Sequence, residues 1–153
     1  MGLDMYLYKD TYVGAYFEHR NVTGTVELMA GDEVIPVNTK RISSIREQVA
    51  YWRKANAVHH WFVENCQDGV DECQHSSVSY DQLKELLGIC ETIKAHPERA
   101  SELLPTQSGF FFGDTEYDEW YYEDIDLTIR QLSAIVEECK DERWPEFVYH
   151  SSW

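Results

Sequence analysis

Positive charge is scarce in this chain: 13 Lys and Arg stand against 28 Asp and Glu, for a net charge of −15 over 153 residues. Nucleic-acid backbones and anionic membranes are gripped through basic footprints, so the balance argues against direct binding to either. No run approaches the ~18 consecutive apolar residues of a membrane span. No charged-then-apolar leader opens the chain, and Tyr6 stands where a myristoylation signal needs Ser or Thr. The four cysteines, Cys66, Cys73, Cys90 and Cys139, then read as reduced thiols rather than disulfide staples. Cys66, Cys73 and His75 have the spacing C-x6-C-x-H, and no second pair completes a zinc site. Catalytic signatures are missing too: no G-x-S-x-G elbow, HExxH pair, dinucleotide-binding glycine turn or phosphate loop with its lysine. The expectation is a soluble, cytoplasmic protein without membrane partner, metal or cofactor, and more a binder than an enzyme. A small hydrolase using His59 or His60 as base stays open.

What the chain does have is apolar and aromatic mass. Hydrophobic residues make up 43% and aromatics 14%, with five Trp and ten Tyr, enough for one globular domain over residues 1–153. Gly2 to Lys9 alternates Leu3, Met5 and Leu7 with polar or tyrosyl positions, which predicts a strand with one buried face. Tyr12 to Asn21 is aromatic but aperiodic and reads as a loop. Thr25 to Ala30, Gly31-Asp32 and Glu33 to Val37 predict a hairpin, with Pro36 confining its second strand to an edge. Ser79 and Gln82 form a capping box before a helix carrying Leu83, Leu86, Leu87, Cys90 and Ile93. Pro97 ends that helix and suits N1 of a short turn running to Leu104. Thr115 with Asp118 marks a further helix start, with Tyr122, Ile125, Ile129, Leu132, Val136 and Cys139 on one face. Glu146 to His150 reads as a last strand able to pair with the first. The order predicts an α+β fold, a small antiparallel sheet packed against three main helices.

The stretch Ser44 to Asn65, SIREQVAYWRKANAVHHWFVEN, predicts the organising element: one amphipathic helix of about six turns, at ~3.6 residues per turn. Ser44 and Glu47 supply its capping box, and Gln67-Asp68-Gly69 its exit. Ile45, Val49, Trp52, Asn56, His59 and Val63 recur at spacings of four and three and share a face. Asn56 and His59 thus occupy seam positions where Leu or Val would be ordinary, and buried polar groups need partners. Those partners are either a ligand or a satisfied internal network. Trp52 offers a stacking surface, Arg53 a guanidinium for an anion, and Asn56, His59 and His60 hydrogen bonds.

Two other segments carry candidate chemistry. Thr106 to Gly113, TQSGFFFG, is too apolar for an ordinary exposed loop. Either Gln107, Ser108 and Gly109 close over a ligand, or the loop plugs the core with Phe110 and Phe112 inward. Asp114 to Asp126 holds seven carboxylates in thirteen residues, interleaved with Tyr117, Trp120, Tyr121 and Tyr122. That segment is either a partner surface for a basic protein or the solvated, dipole-stabilised start of a helix.

The blocks GLDMYLY, AYWRKANAVHHWFVENCQDGVDEC and LLPTQSGFFFGDTEYDEWYY resemble a group of small uncharacterised proteins of bacteriophages and prophages. The likeness covers most of the chain and is weak across residues 11–39. It implies a setting, the host cytoplasm, and a class: accessory proteins that blunt host defence as sponges for nucleotide signals or as acidic DNA mimics. The expected function is non-catalytic sequestration of a small anionic, nucleotide-derived ligand. Arg53 would meet its phosphate, and Trp52, Trp120 and Tyr121 its base. Asn56 and His59 would read its polar edges, with Lys54 and His60 adding local positive charge and Gln107, Ser108 and Gly109 closing over it. A second protomer is a candidate contributor. The alternative is an acidic interaction module that occupies a basic surface of a host protein.

Overall fold

Nine residues of alternating character, Asp4–Tyr12, form β1, and everything else is placed relative to it. In the computed structural model, which describes residues 2–14 and 26–153, β1 is an inner strand of a four-stranded antiparallel sheet ordered β4-β1-β6-β5. Its partners are β4 (Ser44–Arg53) on one side and β6 (Glu146–Ser152) on the other. The short β5 (Ser76–Val78) completes the sheet beside β6. The expected pairing of the last strand with the first is therefore present, and the class is α+β.

The alternation of β1 sends Leu3, Met5 and Leu7 to one side, where they are fully buried. Ala50 and Trp52 of β4 and Phe147, Tyr149 and Ser151 of β6 point the same way and are buried with them. Three helices supply the other half of the core. From α1 (Asn56–Cys66) come Val58, Phe62 and Val63, with the Phe62 ring stacked on Tyr149 at 4.0 Å. From α2 (Tyr80–Ala95) come the five residues its pattern predicts, Leu83, Leu86, Leu87, Cys90 and Ile93. The Ser79/Gln82 capping box is present in both directions, side chain to backbone and back. Pro97 opens a 3₁₀ turn, Pro97–Arg99, that leads into the single turn α3 (Ala100–Leu103). The long α4 (Glu119–Glu138) is capped by Asp118, whose carboxylate accepts from the backbone of Trp120 and Tyr121. Its buried stripe is Tyr121, Ile125, Thr128, Leu132 and Ile135, so the helix is turned about one residue from the stripe its sequence suggests.

One expectation is overturned. Ser44 to Asn65 is not a single helix: its first ten residues are β4, and only Asn56–Cys66 is helical. Ser44 pairs with Tyr12 across the sheet and caps nothing. Gly69, at φ +74° and donating to the Val63 carbonyl, does end α1 as expected. The hairpin is also present, as β2 (Leu28–Ala30) and β3 (Glu33–Ile35), with Gly31 at φ +63° in the turn. The loop expected over Tyr12 to Asn21 lies largely outside the described residues, except that Tyr12 itself ends β1. Among the described helices, none is long and apolar enough to cross a membrane.

Candidate functional site

The junction between β4 and α1 builds the site. Lys54 takes φ +58°, a left-handed conformation that side chains other than glycine adopt at a cost. Its N–H donates to the Leu3 carbonyl at 2.8 Å, and its own carbonyl accepts from Asn56 N–H. The chain thereby reverses from strand to helix in two residues. Ala55 stands at the N-cap with no side chain to offer, and no acidic residue sits in the first turn of α1. Ala55 thus supplies no side-chain cap to the positive end of that helix.

Asn56 holds the facing loop. Its Oδ1 accepts from Gln107 N–H at 3.0 Å, and its Nδ2 donates to the carbonyls of Phe112 and Asp114 at 3.1 and 2.7 Å. One amide thus clamps both ends of the Gln107–Asp114 segment. Thr106 adds a second tie, with its hydroxyl on the Thr115 carbonyl, and Tyr121 a third, with its hydroxyl on the Leu104 carbonyl. These bonds bring the start of α4 opposite the start of α1. Between them lies a cleft of about 410 Å³.

The cleft is polarised. Arg53 and Lys54 line it beside Ala57 and Val58 at the start of α1, while Asp114, Glu116, Asp118, Glu123 and Asp124 line it from the loop and α4. Among the described residues, neither cation forms an ion pair with any of those five carboxylates. Arg53 makes its ion pair at 4.0 Å with Asp4 instead. Half-buried Asp124 is pushed up to about 7 by burial, then by the neighbouring charges of Glu123 and Asp118. Trp120, 65% exposed, stands on the same lining and offers an open indole face.

Four of the residues expected at a site, Arg53, Asn56, Trp120 and Tyr121, are brought together here. The others go elsewhere. Trp52 has no exposed surface, and its indole N–H donates to Thr128 Oγ1 at 2.9 Å, so it offers no stacking platform. His59 is likewise fully enclosed: Nδ1 lies 2.7 Å from the Tyr149 hydroxyl and Nε2 2.9 Å from Asp71. Burial holds its pKa below the ordinary histidine value despite the carboxylate. His60 is half-buried outside the cleft, with Nδ1 enclosed and unpartnered. Gln107 gives its backbone to Asn56, Ser108 is exposed away from the lining, and Gly109 makes room for a ring, since a Cβ there would sit 2.5 Å from Phe112. Of the two phenylalanines expected inward, Phe112 is buried while Phe110 is 96% exposed.

Missed as contacts are the carboxylates, chiefly Asp124, while Lys54, expected as part of the local positive charge, does line the cleft. The acidic segment stood out by composition, but nothing in the sequence pairs it with Lys54 across a cavity. Among the described residues, no group of three or more His, Cys, Asp or Glu is placed to hold a metal ion. In comparisons with known proteins, no family model, curated protein or solved structure matches this chain.

Proposed function

We propose that this protein is a binding protein for a small dipolar ligand, one that carries an anionic group and an amine or guanidinium a few ångströms apart. The observation that carries this reading is charge separation within one cleft: two cations and a helix end without a side-chain cap face five carboxylates without pairing with them. An anionic group would rest at the α1 terminus beside Arg53 and Lys54. The cationic end would reach Asp124 and Glu123, and an apolar or planar portion would lie on Trp120. Amino acids and short peptides have this chemistry. A nucleotide, the ligand expected from the sequence, fits less well: carboxylates outnumber cations five to two on the lining, in a chain of net charge −15. In the phage setting that the resemblance suggests, the role would be sequestration.

Calorimetry tests this with a panel of amino acids, dipeptides, polyamines, dicarboxylates and cyclic and linear nucleotides. Zwitterions should bind, with Arg53→Ala and Asp124→Asn each weakening them at least tenfold, about 1.4 kcal/mol. No heat from any member would remove the reading. Binding of polyamines alone, insensitive to Arg53→Ala, would favour a second reading, the acidic module for a basic protein. That second reading is supported by Trp120 exposed among the carboxylates of Asp114 to Asp126. It predicts salt-sensitive capture of a basic partner, abolished by charge reversal of that segment.

A further inference from the structure

The helices contact the sheet through its inward residues, as in the bonds of Trp52 to Thr128 and His59 to Tyr149. An antiparallel sheet covered on one face ordinarily turns polar side chains outward on the other. Here the middle of the outward face is aromatic. Tyr6 and Tyr8 of β1 stack at 6.0 Å, Tyr6 meets Tyr51 of β4 at 5.4 Å, and His150 of β6 lies against Tyr6 and His75, the two imidazoles parallel at 4.2 Å. Charge on this face is internally balanced. Arg46 grips Asp10 with two bonds of 2.7 and 2.6 Å and lies over the Tyr8 ring, while Asp4 is bonded by the Tyr51 hydroxyl and paired with Arg53. Among the described residues, Glu146 at the start of β6 is in no ion pair.

We infer that this outward sheet face is the contact surface between two copies of the chain. The argument is electrostatic first. Two molecules of charge −15 repel, and they approach at least cost through a patch whose arginines and aspartates already cancel. Tyrosine and arginine are also residue types that interfaces favour, and a face contacting itself about a twofold axis needs no second complementary surface. Area sets the strength. Four strands at about 4.8 Å spacing and strands near 25 Å long give a footprint on the order of 500 Å². That is below the ~800 Å² per partner of a standard interface, so the dimer is weak and concentration-dependent. This surface meets the cleft at Arg53, but the inference does not rest on the proposed ligand.

Sedimentation equilibrium of the full chain tests it. The expected result is a monomer near 1 μM that becomes dimeric toward about 0.5 mM, the more so at higher salt, because screening removes the repulsion of the net charge. A Tyr6→Lys, Tyr8→Lys variant should stay monomeric even though it lowers the net negative charge. If circular dichroism shows that variant unfolded, Gln48→Glu with His75→Glu, at two exposed positions on the same face, takes its place and should also stay monomeric. A wild-type monomer at about 0.5 mM in high salt, or a dimer that persists in the folded variant, overturns the proposal.

Discussion

Asn56 shows how one side chain can be worth more than its own burial. Its three bonds satisfy a backbone N–H and two carbonyls of a loop that has no regular structure of its own. Asn56→Ala leaves all three without a protein partner, and unsatisfied buried groups cost roughly 1–3 kcal/mol each before water enters. We expect a loss of about 2–4 kcal/mol, read as a shifted urea midpoint, with the cleft disordered at the same time. His59 and Asp124 act through protons. Burial lowers the folded pKa of His59 below its unfolded value, so the unfolded chain binds the extra proton on acidification. Stability should fall as pH drops below about 6.5, and His59→Gln should flatten that slope in urea midpoints between pH 5 and 8. Asp124 has the opposite sense. Its folded pKa of about 7 stands above the ordinary 3.8, so its contribution is intact below that lower value and lost as pH rises through the window between them. Asp124→Asn should therefore stabilise the fold at pH 8 more than at pH 4. A variant that gains nothing at pH 8 would mean the carboxyl is better solvated than its place in the cleft implies.

Elements were legible where one period ran unbroken from cap to cap. β1, α2 with its capping box, and β6 as a strand able to pair with β1 could all be read from the sequence. The stretch from Ser44 to Asn65 could not, for two physical reasons. A register shift opposite Leu7 and Tyr8 places an extra residue in β4 near Val49, so the alternation that would mark a strand slips out of phase midway. Ile45, Val49 and Trp52 then fall at spacings a helix also satisfies. The boundary itself is unmarked, since the left-handed turn between strand and helix is made by Lys54, where glycine would have announced it. The site shared this fate. Asn56 was rightly singled out as a seam polar residue, but its partners are backbone atoms more than fifty residues away, and spacing cannot supply those. Lys54→Gly tests the strain: it should recover about 1 kcal/mol at the backbone, less the packing of the Lys54 side chain against Gly113, whose absent Cβ would lie 3.4 Å from Lys54 Cβ. Gly113→Ala, forced at φ +88°, should cost about 1–2 kcal/mol. Equal midpoints for wild type and Lys54→Gly would say that the lysine's packing offsets its backbone.

At the scale of the molecule, the excess of fifteen negative charges opposes compaction, and attractive pairs between elements work against it. Lys9 of β1 bonds Glu142 beyond α4, Arg46 of β4 bonds Asp10 of β1, and Lys94 of α2 meets Asp126 of α4 at 2.6 Å. Salt weakens both effects, so the direction of its action reveals which is larger. The pairs of Arg46 and Lys94 are substantially exposed, and exposed pairs contribute about 0–1 kcal/mol each. The repulsion is summed over many more carboxylates than these, with separations comparable to the ~8–10 Å screening length at ordinary ionic strength. Repulsion should dominate. Raising NaCl from roughly 20 to 300 mM, which shortens the screening length about fourfold, should move the urea midpoint upward, and Lys9→Met should lower the midpoint at both salts, because it leaves Glu142 and Glu138 unpaired beside a buried stem. A midpoint that falls with salt would place the balance with the ion pairs and would make the paired charges, rather than the acidic excess, the main electrostatic determinant of this fold.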